Sequence, residues 1–111
     1  MEEKFVDCLL DGIVKENLTM YKEILDTPLT EVTDKYWQEV ITLYNLVDKD
    51  KKLTIIEIFK QVMIDTISNI LGIIDGNVSL GDFEHEIKLR IDDVEVEDSL
   101  QDAFLESTEL V

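Results

Sequence analysis

The stretch from Leu53 to Ile74 constrains this chain more than any other, because it is almost continuously apolar and has the periodicity of a helix. At about 100° per residue, Glu57, Gln61, Asp65, Ser68 and Gly72 fall within one arc of about 80°, and nearly every other position is apolar. Such a helix is expected to be central and covered on most sides, with that arc facing solvent. Its β-branched Ile and Val residues favour a strand locally, but no alternation of period two runs through the segment.

The flanking sequence supplies what would wrap it. Phe5, Leu9, Ile13, Leu18, Tyr21 and Leu25 recur at about helical spacing, which predicts one long helix or two short ones divided at Gly12. Asp26-Thr27-Pro28 stops that segment, since Pro28 has no N–H and disfavours a helical Thr27. Thr33 or Asp34 can cap a second helix with Tyr36, Val40, Leu43, Tyr44 and Val47 along one side. Trp37 stands one position off that stripe, where an exposed indole would suit an interface. Residues 48–52 read as a polar break before the apolar segment.

After it, Asp75-Gly76-Asn77 has the chemistry of a helix end, and Gly81 marks a second turn. The period then changes. Phe83, His85, Ile87, Leu89 and Ile91 alternate with Glu84, Glu86, Lys88 and Arg90, as in a strand with one buried face. Asp92-Asp93 fits a two-residue turn that sets Val94 opposite Ile91 and Val96 opposite Leu89. Asp98 and Gln101 resemble a capping box, opening a last helix with Leu100, Phe104, Leu105 and Thr108 on its apolar side. The expected fold is α+β and mainly α: three to four helices around a central apolar helix, with a small antiparallel β-hairpin before the C-terminal helix, as one domain over residues 1–111.

Twenty-six acidic residues against ten Lys and Arg give a net charge of −16. Nucleic acid and anionic membrane are thereby excluded as expected partners, because phosphates would be repelled and no basic stripe overcomes that. What such a field attracts is a basic protein surface, a cation, or nothing specific, and a basic-surfaced protein is the expected partner. The charge is uneven: residues 76–111 hold 11 acids and 2 bases, net −9, while residues 1–75 hold 15 and 8, net −7. Cys8 is the only cysteine, so no disulfide forms within one chain. The opening residues lack the pattern of a signal peptide, and Asp65 and Asn69 interrupt the most apolar run. A cytoplasmic location is the expectation.

The chemistry-bearing residues do not assemble into a recognisable catalytic motif. Asp75-Gly76-Asn77-Val78-Ser79 with Glu86 has the oxygen-ligand spacing of a calcium loop, but Leu80 stands where the sharp turn needs glycine. His85 is the only histidine and shares the expected buried strand face; no serine, cysteine or acid has a recognisable spacing to it. With 26 acids some carboxylates must lie close together, so paired carboxylates carry no signal. No glycine-rich phosphate loop is present. The expectation is a protein that is not an enzyme and takes no cofactor or metal.

Residues 61–76, QVMIDTISNILGIIDG, together with residues 98–106, DSLQDAFLE, resemble small uncharacterised acidic bacterial proteins, over less than a quarter of the chain. That resemblance implies no activity and no catalytic residues. In size, acidity and helical content the chain is also similar to bacterial immunity proteins, which implies a module that binds and neutralises a basic toxin. The functional expectation is therefore an acidic protein-binding module, with a DNA mimic or a self-associating structural or regulatory protein as alternatives. A homodimer is compatible with these features. The candidate partner-binding residues are Glu84, Glu86, Asp92 and Asp93 on the acidic hairpin, with Trp37 and Asp65. Asp65 is expected on the exposed arc, the alternative being a buried acid paired with a lysine or arginine.

Overall fold

The computed structural model describes residues 1–97 and 99–109. It is mostly helical, with four helices and a two-stranded antiparallel hairpin before the last of them. Helix α1 covers residues 2–25 without a break, as α-helical Glu2–Leu9, a π-helical turn Leu10–Lys15 and α-helical Glu16–Leu25. A 3₁₀ turn, Leu29–Glu31, leads to α2, Lys35–Tyr44. Helix α3 is Lys49–Asp75; β1 is Arg90–Ile91, β2 is Val94–Glu95, and α4 is Leu100–Glu109.

Gly12, the expected weak point, lies inside the π-helical turn, and helicity continues through it. The buried row of α1 is Val6, Leu10 and Val14, one residue on from the expected Phe5, Leu9 and Ile13. A strict spacing of four drifts by about 40° per step on a helix of 3.6 residues per turn. The wider π turn takes up an additional residue and keeps that row on one side.

Helix α2 is capped as expected: the Asp34 carboxylate accepts from Trp37 N at 3.1 Å. Its inward face is different, with Ile41 and Tyr44 buried while Tyr36 and Leu43 point to solvent. The expected polar break at residues 48–52 is instead the first turn of α3, with Asp48 as its cap, accepting from Lys51 N at 2.9 Å. Gly76 ends that helix at φ +83°, the left-handed conformation that costs glycine least.

Helices α1 and α3 run antiparallel, which places two apolar clusters along the long axis. One joins Val6, Leu10 and Val14 to Ile64, Leu71, Leu100 and Phe104. The other joins Leu25, Tyr44 and Ile56. The polar arc of α3 is thus only partly exposed: Glu57, Gln61 and Asp65 face water, but Ser68 and Gly72 lie beneath α4. A Cβ on Gly72 would stand 2.5 Å from Val78 Cγ2 and 2.8 Å from Gln101 Nε2, so the absent side chain is what admits α4. Ser68 Oγ accepts from Gln101 Nε2 at 3.3 Å.

The start of α4 is held by the end of α3. Asp75 accepts from Leu100 N at 3.0 Å, Gln101 N at 2.8 Å and Ser99 Oγ at 3.3 Å, capping a helix remote in sequence. The expected capping residue Asp98 lies outside the described residues. Leu100 and Phe104 are fully buried, and Leu105 is exposed. On the far side, the Ser107 hydroxyl donates to the Asp7 carboxylate of α1.

The expectation that α3 is wrapped on most sides fails. Ile58, Val62 and Ile70 are 55%, 58% and 53% exposed, and with Phe59 and Met63 they share an arc of about 140° turned away from α4. One apolar face of α3 is buried in the chain's own core, and a second, which also carries exposed Thr66 and Asn69, is open.

Candidate partner-binding surfaces

The acidic arm begins after α3. Phe83 N donates to the Leu80 carbonyl across a turn in which Gly81 has φ +53°. The hairpin then forms in the expected register, Arg90 opposite Glu95 and Ile91 opposite Val94. Val96 N extends it by donating to Leu89 O at 2.9 Å. Asp92 and Asp93 form its two-residue turn with φ of +50° and +66°, the backbone of a type I′ turn, which aspartate adopts more readily than most residues do.

The expected strand from Phe83 is otherwise not formed. Residues 84–89 have no regular secondary structure, and Phe83, His85 and Ile87 are exposed, so of the expected buried face only Leu89 and Ile91 are half-buried. The physical reason is the lack of a pairing strand: a two-residue ladder cannot hold a nine-residue strand, and α4 reaches only Leu89 and Val96. His85 packs edge-on against Phe83, ring centres 5.3 Å apart, rather than in a core. Among the described residues, the backbone groups of Glu84 to Lys88 have no hydrogen-bond partner in the chain.

Glu84, Glu86, Asp92 and Asp93 are all exposed on this arm. Residues 82–97 carry seven acids against Lys88 and Arg90. Lys88 reaches Glu95 at 3.8 Å, both more than two-fifths exposed, a pairing of little energetic weight.

Trp37 and Asp65 do not join this group. Asp65 is exposed and accepts from Gln61 Nε2 at 2.8 Å, with no lysine or arginine bound to it. Trp37 is half-buried, and its neighbour Tyr36 is the exposed aromatic, at 63%. Trp37 lines an open groove of about 330 Å³ with Tyr21 and Leu25 of α1, Val40 of α2, and Phe59 and Met63 of α3. Tyr21 anchors it, its ring centre 6.3 Å from Trp37 and 5.9 Å from Phe59. Sequence reasoning missed this groove, although the breadth of the apolar surface outside the polar arc of α3 was its signal.

Behind the groove, burial and then the nearby Asp26 carboxylate hold the Tyr44 hydroxyl above its ordinary pKa of 10.0. Lys52 Nζ lies 5.0 Å from the Tyr44 ring centre. Cys8 is exposed on α1. Among the described residues, no three His, Cys, Asp or Glu side chains stand together as a metal site, and no buried side-chain polar atom lacks a partner. Among the described residues, no helix is long and apolar enough to cross a membrane. Comparisons with protein-family models, curated proteins and solved structures find no match to this chain.

Proposed function

We propose that this protein is an acidic binding module that takes a basic protein on the arm formed by residues 82–97, with neutralisation of a basic toxin as its concrete form. The observation that carries the reading is the stretch from Glu84 to Lys88, exposed and without regular secondary structure, its backbone groups unpaired among the described residues. An unpaired run that alternates apolar and charged residues is a template for a strand from another chain. Addition of such a strand would satisfy the free N–H and C=O groups and cover Phe83 and Ile87. Acids at Glu84, Glu86, Asp92, Asp93 and Glu95 would select a basic partner and speed its approach.

The test uses two baits at low salt in native lysate, the wild type and a variant with Glu84→Gln, Glu86→Gln, Asp92→Asn and Asp93→Asn. All four side chains face solvent, so the fold is retained. A basic protein held by the wild type, lost from the variant and released by salt is the expected result. Equal retention by both baits, or no basic protein on either, would overturn the reading.

A further inference from the structure

We infer that the open face of α3, with the aromatic groove beside it, is covered by a second copy of this chain. That face is lined by residues of α1, α2 and α3 and shares none with the acidic arm.

Three observations point to it. A helix apolar outside one narrow polar arc is one that is buried on most sides, and the chain covers the α3 face that carries Ile56, Ile64 and Leu71. Tyr36, Ile58 and Val62 are left 63%, 55% and 58% exposed around a groove floored by Tyr21, Trp37 and Phe59. Single exposed apolar residues are ordinary, but a contiguous set at a groove marks an interaction site.

The second observation is area. A compact monomer of 12.8 kDa exposes about 6,300 Å². This chain exposes 8145 Å². Its radius of gyration is 17.7 Å, where a compact chain of this length has about 13 Å. The excess over the whole chain, the exposed acidic arm included, is about 1,800 Å², against the roughly 800 Å² that each partner buries in a standard stable interface.

The third is charge, and it decides between occupants. Residues 16–63, which carry the groove, hold nine acids and six bases, net −3, while residues 76–111 carry −9. A basic helix would find little to attract it at the groove. A second copy meets little repulsion there, and its acidic arm projects elsewhere. In such a pair the ridge at Ile58 and Val62 of one copy would enter the Tyr21–Trp37–Phe59 groove of the other, and the reverse, about a two-fold axis.

Sedimentation velocity of the full chain over rising concentration tests this, with Ile58→Glu, Val62→Glu and, as a control on the hairpin, Val94→Glu. The expected result is a wild-type species of twice 12.8 kDa that either α3 variant reduces to monomer with unchanged far-UV circular dichroism. Val94→Glu, 60% exposed and off the face, should remain dimeric. Trp37, the only tryptophan, gives a second readout free of any substitution: its emission should shift to the red as the wild type dissociates on dilution. A wild type that stays monomeric, its face free or taken by another protein, would overturn the inference. So would a dimer that survives both α3 substitutions, or one that Val94→Glu disrupts equally.

Discussion

Replacing Asp75 with alanine removes the carboxylate that caps the start of α4 from the end of α3. Three hydrogen bonds go with it, from Leu100 N, Gln101 N and Ser99 Oγ. Loss of a helix N-cap alone costs about 1 kcal/mol. Here the acceptor is a carboxylate shared by two backbone donors, and hydrogen bonds to charged groups contribute about 1.5–3 kcal/mol each. Water reaches the half-buried site and recovers part of that, so the expected loss is about 2–3 kcal/mol. For a domain of this size that lowers the melting temperature by roughly 10 °C. Urea unfolding followed by circular dichroism measures it, with an unchanged denaturant slope. Asp75→Asn keeps an acceptor and should lose about half as much. Asp65→Ala, on the exposed arc of the same helix, should lose less than about 0.5 kcal/mol. A loss for Asp75→Ala as small as that for Asp65→Ala would refute the inter-helix cap.

Other outcomes follow from the same geometry. Gly72→Ala should destabilise by about 1–3 kcal/mol despite alanine's higher helix propensity, because the new methyl meets Val78 and Gln101. Gly12→Ala, with open space around it, should be neutral or stabilise by up to about 1 kcal/mol, and paired thermal melts compare the two. Asp93→Gly relieves a positive φ at the hairpin turn and should stabilise by about 0.5–1 kcal/mol in urea unfolding. The folded state holds the Tyr44 proton above pH 10, so that contribution is complete below the unfolded value of 10.0 and is lost as pH rises through the raised one. Stability measured against pH should therefore fall more steeply in alkali for the wild type than for Tyr44→Phe.

Local stop signals were legible in the sequence because each acts through its own backbone. Pro28, the Asp34 cap, the Asp75-Gly76 helix end and the Asp92-Asp93 turn all act as expected, and the turn fixes the hairpin register. Choices settled by packing were not legible. Phe5 and Val6, Leu9 and Leu10, and Ile13 and Val14 are adjacent apolar pairs, so periodicity alone cannot say which row faces α4. Asp48-Lys49-Asp50-Lys51-Lys52 looks like a loop by polarity but is a solvated first turn, since Asp48 caps it and lysine is a good helix former. Ser68 and Gly72 lie on the polar arc yet are buried, because small size admits α4 where polarity would suggest water.

For the candidate surfaces, the acids of the arm were readable and are exposed, whereas the strand expected between Phe83 and Leu89 lacks a pairing partner within the chain. Alternation reports a capacity to pair and does not supply the partner. The aromatic groove required knowing that α2 covers only part of α3, a tertiary fact with no local signature.

Amide hydrogen exchange at Glu84 to Lys88, measured on the protein alone and then in complex with its captured basic partner, tests the proposed role of the arm most directly. The proposal predicts fast exchange in the free protein, where these N–H groups have no partner among the described residues, and strong slowing in the complex as a partner strand pairs with them. Exchange at these residues that stays fast in the complex, with new protection confined to the helices, would contradict it.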